Sequence, residues 1–386
     1  MNTCAPEAPV LFEQRTTGNG LCIGIATLNA PATLNGLSLE MARLLDAHLR
    51  QWADDDGIVL VVLQGAGEKA FCAGGDLHGL YRGVQAHQQR DGWAGDAFAD
   101  PRGNPHAEAF FETEYRLDYL IHTFPKPVLC WGHGIVMGGG IGLMSGASHR
   151  VVSERSRLAF PEITVGLFPD VGGSWLLQRV PRRGGLFLAL TGAALDAGDA
   201  IYAGMADVFI TEARRNALFQ ALAAEVWQPG DAAAQLDALL ARFAEPIAAG
   251  PLQRNADAVA RLCAGEDLET IVADITAADA GDDPWMRAAQ ATLAAGSPGS
   301  ARLAYTLQQR AAGLSLADVF RLEYTVALHC AAHGDFAEGI RALLIDKDRN
   351  PQWQPTALGT ATATWAQAFL AAPWPADAHP LADLGR

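Results

Sequence analysis

Residues 58–77 read IVLVVLQGAGEKAFCAGGDL. Ile58 to Leu63 is an unbroken apolar run, the pattern of a strand buried on both faces. It leads into Phe71-Cys72-Ala73-Gly74-Gly75-Asp76-Leu77, where paired glycines let backbone N–H groups approach a ligand closely. A strand feeding such a turn is the unit of an α/β fold, and the same unit recurs downstream. Pro127 to Trp131 is a second buried strand. It is followed by Gly134-Ile135-Val136-Met137-Gly138-Gly139-Gly140-Ile141-Gly142, with helical character from Ile141 to Ser145. A glycine run ahead of a helix presents unpaired N–H groups, which is what a developing oxyanion needs. Repeated strand–turn–helix units predict strands joined by helical crossovers.

Upstream, Val10–Thr16 and Leu21–Thr27 flank Gly18-Asn19-Gly20 and read as a hairpin. Ser38 is placed to cap a helix carrying Met41, Leu44, Leu45, Leu49 and Trp52 at helical spacing. Residues from about Arg82 to Pro105 are polar and contain glycine, which predicts a surface excursion before a helix at Glu108–His122. Beyond about Thr211 alanine and leucine dominate. Ala213–Trp227, Ala232–Phe243, Ser300–Ala312 and Leu316–Ala332 are read as amphipathic helices. The expected division is a core at 1–212 and a helical C-terminal region at 213–386.

A third stretch, Phe160 to Gly173, carries Glu162 and Asp170 in apolar company. Burying a carboxylate is costly unless it is paired or used, and desolvation raises its pKa toward the range of acid–base work. An N-cap or a buried salt bridge is the plainer role for each. His133 ends an apolar strand and is read as structural. Cys72 has no histidine–acid pattern around it and is read as a small buried side chain. No G-x-S-x-G elbow is present, which disfavours a serine α/β-hydrolase. Asp346-Lys347-Asp348-Arg349 is read as a solvated charged turn.

The balance of 28 basic and 43 acidic residues gives a net charge of −15. That field repels polyphosphate backbones and argues against nucleic acid. The six cysteines are scattered without a C-x-x-C pair. They fit reduced thiols, with neither a disulfide frame nor a zinc site. No secretory signal, transit peptide or membrane-spanning run is read, so a cytoplasmic location is expected.

Taken in order, the three motifs resemble the crotonase (enoyl-CoA hydratase/isomerase) superfamily across roughly residues 10 to 215. Lys69 to Asp76, Gly134 to Gly140 and Pro161 to Gly173 are closer to its 3-hydroxyisobutyryl-CoA hydrolase branch. So is the tail from Asp335 to Asp348, with Pro351-Gln352-Trp353 after it. The resemblance implies a ClpP/crotonase spiral of β-β-α units with a helical C-terminal region. It implies hydrolysis of a short 3-hydroxyacyl-CoA thioester in valine degradation, with CoA as part of the substrate and no metal or other cofactor. By the same resemblance, Gly75 and Gly139 form an oxyanion hole and Glu162 and Asp170 are the catalytic carboxylates. Glu114, Ala73 and Asp76 are assigned to substrate binding. For Glu114 a helix-surface charge is the competing role. Hydratases of the superfamily carry a glutamate where this chain has Gly142, so the two-glutamate hydration machinery is incomplete. An enoyl-CoA hydratase or isomerase and a non-catalytic acyl-CoA-binding protein are the alternatives. Family members often form trimers, so a homo-oligomer is admitted.

Overall fold

A computed structural model describes residues 8–89 and 101–386 of the chain. Val10–Thr16 (β1) and Cys22–Leu28 (β2) form the expected antiparallel hairpin, in register from Val10 opposite Leu28 to Thr16 opposite Cys22. Its turn closes through the Thr17 N–H, which donates to the Leu21 carbonyl at 2.8 Å, and through Gly20 at φ 85°. Glycine adopts that φ without a Cβ penalty. Leu39–Asp54 (α1) begins at Ser38, whose Oγ accepts the Met41 N–H at 3.1 Å. Ile58–Gly65 (β3) is buried through Leu63 and pairs in parallel with β2.

From β3 onward the chain repeats one alternation. Ala70–Cys72 (β4), Val128–Gly132 (β5), Ile135–Met137 (β6), His149–Val152 (β7), Arg157–Ala159 (β8) and Val208–Phe209 (β9) are dealt in turn to two sheets. Odd-numbered strands extend a six-stranded sheet ordered β1-β2-β3-β5-β7-β9. Even-numbered ones build a three-stranded sheet ordered β4-β6-β8. Leu77–Gln88 (α2) and Pro105–His122 (α3) follow β4, and Gly139–Ser145 (α4) follows β6. Every step from β2 through β9 in the larger sheet is parallel. Such steps require crossovers. This is the β-β-α spiral.

The chain forms two compact units interleaved in sequence. The first gathers Met1–Gly75, Leu120–Leu158 and Asp196–Ala248, and the second Asp76–Tyr119, Ala159–Leu195 and Ala249–Arg386. No edge of either unit falls at 212. In the first unit, helices Arg215–Ala224 and Ala232–Phe243 lay Leu218, Leu222, Leu236 and Leu239 on the sheet residues Ile23, Ile25, Leu129 and Trp131. Each such side chain contributes about 1.5–3 kcal/mol of burial. Trp227 is wholly buried in this core, and its indole N–H donates to the Leu222 carbonyl at 3.0 Å. In the second unit, helix Leu316–Ala332 is buried around most of its circumference.

The excursion expected from Arg82 to Pro105 is shorter on both sides. Helix α2 runs on to Gln88 with Leu80, Val84 and His87 buried, and α3 starts already at Pro105. Gly79 and Gly83 masked that helical spacing in the sequence. Residues 90–100 of the stretch lie outside the described residues. Between about 225 and 295, where the resemblance is weakest, helices Ala232–Phe243, Ala256–Leu262, Leu268–Ala277 and Pro284–Ala295 form.

Gly134 sits at φ 59°, and a Cβ there would collide with the Lys69 carbonyl oxygen. Gly134→Ala is therefore expected to destabilise the chain by more than about 1 kcal/mol. Urea denaturation measures this, and an unchanged midpoint would show that the turn tolerates a side chain.

Candidate active site

The two amide donors assigned from the sequence lie in the first unit. Strands β4 and β6 pair in parallel, Ala70 with Ile135 and Cys72 with Val136. Gly75 and Gly139 each stand three residues past that last pair, so the register carries both turns off the same end of one small sheet. The close approach depends on Gly140, where a Cβ would collide with the Cys72 carbonyl oxygen. Gly139 opens α4 behind Gly138 at φ 47°. As the first helical residue, its N–H has no partner within the helix. Gly75 lies beyond β4, where the Leu37 N–H donates to the Gly74 carbonyl at 2.8 Å. Ala73 spends its N–H on the Leu34 carbonyl at 3.1 Å. Cys72 is a buried strand residue, and the His133 ring nitrogen Nε2 bonds the Gly67 carbonyl at 3.0 Å.

The carboxylates lie in the second unit. Glu162 opens a single 3-10 turn, Glu162–Thr164, whose backbone accepts the N–H groups of Val165 and Leu167. Asp170 follows on the loop before the short helix Gly173–Leu176 (α5), and its carbonyl accepts the Gly173 N–H at 2.7 Å. Glu162 is 5% exposed and Asp170 4%. Glu114, on α3, is 2% exposed, which removes the helix-surface role. Asp76 caps α2, its Oδ1 accepting the Gly79 N–H at 3.0 Å.

Three groups complete this cluster that the sequence reading passed over. Tyr115 donates its hydroxyl to Asp170 Oδ2 at 2.7 Å. Asp118 is wholly buried, and neither of its carboxyl oxygens has a hydrogen-bond partner among the described residues. Glu323, in the middle of helix Leu316–Ala332, accepts the Gly172 N–H at 2.7 Å and the Ser174 N–H at 2.8 Å. The first two stand one and four residues after Glu114, and the i, i+4 spacing on one helix face was a signal available for Asp118. An acid flanked by Leu322 and Tyr324 in a helix apolar on most sides was the signal for Glu323.

Burial dominates the electrostatics. Desolvation, and next the charge of Asp170, raise both Glu114 and Glu162 well above the usual carboxylate range. Asp118 is raised likewise, by burial first and then by Glu114, Asp170 and Glu323. Asp170 is pushed by burial only to about 6, because the Tyr115 hydroxyl favours its charged form. Burial lifts Glu323 to about 8 against the pull of its two N–H donors. The arrangement holds several exchangeable protons close together in a place poor in water. That is the equipment of acid–base or nucleophilic carboxylate chemistry. Among the described residues no group of three or more histidines, cysteines or acids is disposed to hold a metal ion.

Residues 23–370 match the enoyl-CoA hydratase/isomerase family. The chain belongs to that family. A 3-hydroxyisobutyryl-CoA hydrolase, mitochondrial, of Danio rerio is 37% identical over 87% of this chain and 83% of its own length. A protein of the same name from Dictyostelium discoideum is 32% identical over 94% and 91%. Among solved structures of the family, an enoyl-CoA hydratase from Rhodobacter sphaeroides superposes with a TM-score of 0.79 at 35% identity, covering 95% of this chain and 98% of that one. A carnitinyl-CoA dehydratase from Mycobacterium thermoresistibile reaches 0.82 at 33%, covering 98% and 100%. These family relatives correct one expectation. The curated hydrolases are named mitochondrial, and that finding overturns the cytoplasmic location expected from the sequence. Reduced, scattered thiols suit any reducing compartment, so cysteine usage had no power to separate the two. No helix of the described residues is long and apolar enough to cross a membrane.

Tyr115→Phe removes the donor that favours ionised Asp170. The Asp170 pKa is then expected to rise above about 6, its wild-type position. The acid limb of activity should move to higher pH with it. A pH–rate profile of the purified variant measures this, and a limb that stays in place would show that the hydroxyl does not tune Asp170.

Proposed function

We propose that this protein hydrolyses a short 3-hydroxyacyl-CoA thioester, of which 3-hydroxyisobutyryl-CoA is the model, to the free acid and CoA. The observation that carries the reading is the placement of acid groups. Glu162 and Asp170 share one desolvated cluster, while α4 offers only Gly142 where the hydratase pattern puts its other glutamate. The names of the curated relatives support the same chemistry.

In this mechanism the N–H groups of Gly75 and Gly139 polarise the thioester carbonyl and stabilise the charge that develops on its oxygen. Ala73 meets the CoA moiety through its backbone, and Glu114 contacts the acyl end. Glu162 acts in one of two ways. As a nucleophile it forms a mixed anhydride and expels the CoA thiolate, and water then cleaves the anhydride. As a base it takes a proton from water, which attacks the carbonyl directly. In both routes Glu162 must first give up its proton, against a burial that raises its pKa well above the usual carboxylate range. Asp170 is the charged neighbour able to receive that proton, and it also orients the substrate hydroxyl or the water. A role in valine degradation and assembly into a homo-oligomer extend the proposal through family resemblance.

The nearest alternative is hydration or isomerisation of an enoyl-CoA, the activity named for the superposed Rhodobacter sphaeroides enzyme. Incubation with crotonyl-CoA separates the two: loss of enoyl absorbance without thiol release favours the alternative. A silent acyl-CoA binder has no use for Asp118 and Glu162, whose burial costs free energy where both Asp118 oxygens and Glu162 Oε2 have no hydrogen-bond partner among the described residues.

Glu162→Gln keeps the shape of the side chain and removes its proton chemistry. Thiol release from 3-hydroxyisobutyryl-CoA is expected to fall by roughly 10² or more, the scale of losing one well-placed catalytic group. CoA binding measured by calorimetry should stay near wild type. A variant that keeps wild-type thiol release excludes Glu162 from the chemistry.

A further inference from the structure

Asp170 is held from two directions, and only one of them acts on its side chain. Tyr115 donates to the carboxylate itself. The second hold acts on the backbone immediately after it. Val171 has φ 53° and Gly172 φ 82°, so two successive residues occupy the left-handed region. The glycine accepts this freely, but the β-branched valine does not, so the turn persists only if its surroundings determine it. Gly172 is the N-cap of α5 and has no side chain with which to satisfy the exposed donors of that turn. Those donors are taken by a residue remote in sequence. Glu323 receives the Gly172 N–H on Oε2 and the Ser174 N–H on Oε1. Phe320, one turn earlier on the same helix, closes over the place where Gly172 would carry a Cβ, and its ring lies 5.6 Å from that of Tyr115.

We infer that Glu323 is a positioning residue: its carboxylate clamps the Val171–Gly172 turn and so sets the direction in which Asp170 presents its side chain. The inference rests on the hydrolase reading only in taking Asp170 as a working carboxylate. It gives the C-terminal helix Leu316–Ala332 a part in the site, because one face of that helix carries both the clamp and the ring that packs beside Tyr115. The groups that feel the Glu323 charge are Glu162, Asp118 and Tyr115, and Glu323 itself feels that of Asp170. Both carboxylate oxygens accept a hydrogen bond, so glutamine cannot replace the clamp. Its amide nitrogen would face an N–H donor.

Glu323→Gln is expected to lower kcat about 100-fold, the scale of an ångström-sized misplacement, with KM little changed. Val171→Gly relieves the strained valine, so the double variant Val171→Gly, Glu323→Gln should recover part of the lost kcat. Hydrogen exchange supplies a readout independent of activity. The Gly172 and Ser174 amides should be protected in the wild-type chain and lose that protection selectively in Glu323→Gln. Wild-type kcat in Glu323→Gln, or a parallel loss in kcat and KM without rescue, would overturn the inference. So would free exchange at both amides in the wild type, a measurement that needs no variant to fold. A wild-type chain that releases no thiol removes the hydrolase reading alone, and the exchange result then decides the clamp.

Discussion

Desolvation of acids is the constraint on which the second unit depends. Glu114, Asp118, Glu162, Asp170 and Glu323 are all nearly or wholly buried, and the charges of Glu114, Asp170 and Glu323 raise their neighbours. Such a group cannot ionise together, so its negative charge must settle where hydrogen bonds favour it. Two sites offer those bonds. Asp170 has the Tyr115 hydroxyl and Glu323 has two backbone N–H groups, and these two are pushed up least, to about 6 and about 8. The remaining three are raised well above the usual carboxylate range. The donors thus separate two members of the cluster from the other three. Glu162, whose Oε2 has no hydrogen-bond partner among the described residues, belongs to the three without such help.

The α/β alternation is legible because it is written in short-range signals, while the spiral itself is implied only by the family resemblance. The apolar run from Ile58 to Leu63, the Ser38 cap and the Gly18-Asn19-Gly20 turn each specify local geometry without reference to the rest of the chain. The second sheet was not legible. Strands β4, β6 and β8 are three residues each, too short for a period to declare itself, and Phe71 and Cys72 read only as the start of a glycine turn. The division into two units was equally hidden. The helices from Arg215 to Phe243 share their alanine–leucine composition with those that follow, yet they cluster with the first unit. Composition says that a helix is amphipathic and leaves open which surface it covers.

The site divided along the same line. Motif residues were found because glycines and isolated acids stand out against apolar neighbours: Gly75, Gly139, Glu162 and Asp170 all announce themselves this way. Tyr115 and Glu323 did not. A tyrosine in an amphipathic helix and one glutamate among seventeen helical residues are ordinary until the fold brings them to residues 55 and 151 positions away. Residues that tune a catalytic group are set by tertiary contact, and that is the information a sequence pattern of period two or 3.6 does not contain.

The geometry at Val171 shows how these levels meet. A β-branched residue at positive φ costs on the order of 1–3 kcal/mol and is not kept by local preference. Here the strained turn is closed by the Asp170 carbonyl, capped by Glu323 and covered at Gly172 by the Phe320 ring. Relaxing the turn would release the strain, but it would also strip both N–H donors from a buried carboxylate. That second cost opposes the first, since a buried carboxyl and two N–H donors left unpaired each incur their desolvation penalty. The turn and the buried glutamate therefore stabilise each other. Asp170, one residue before the strained position, inherits a fixed direction from a contact that its own side chain never makes.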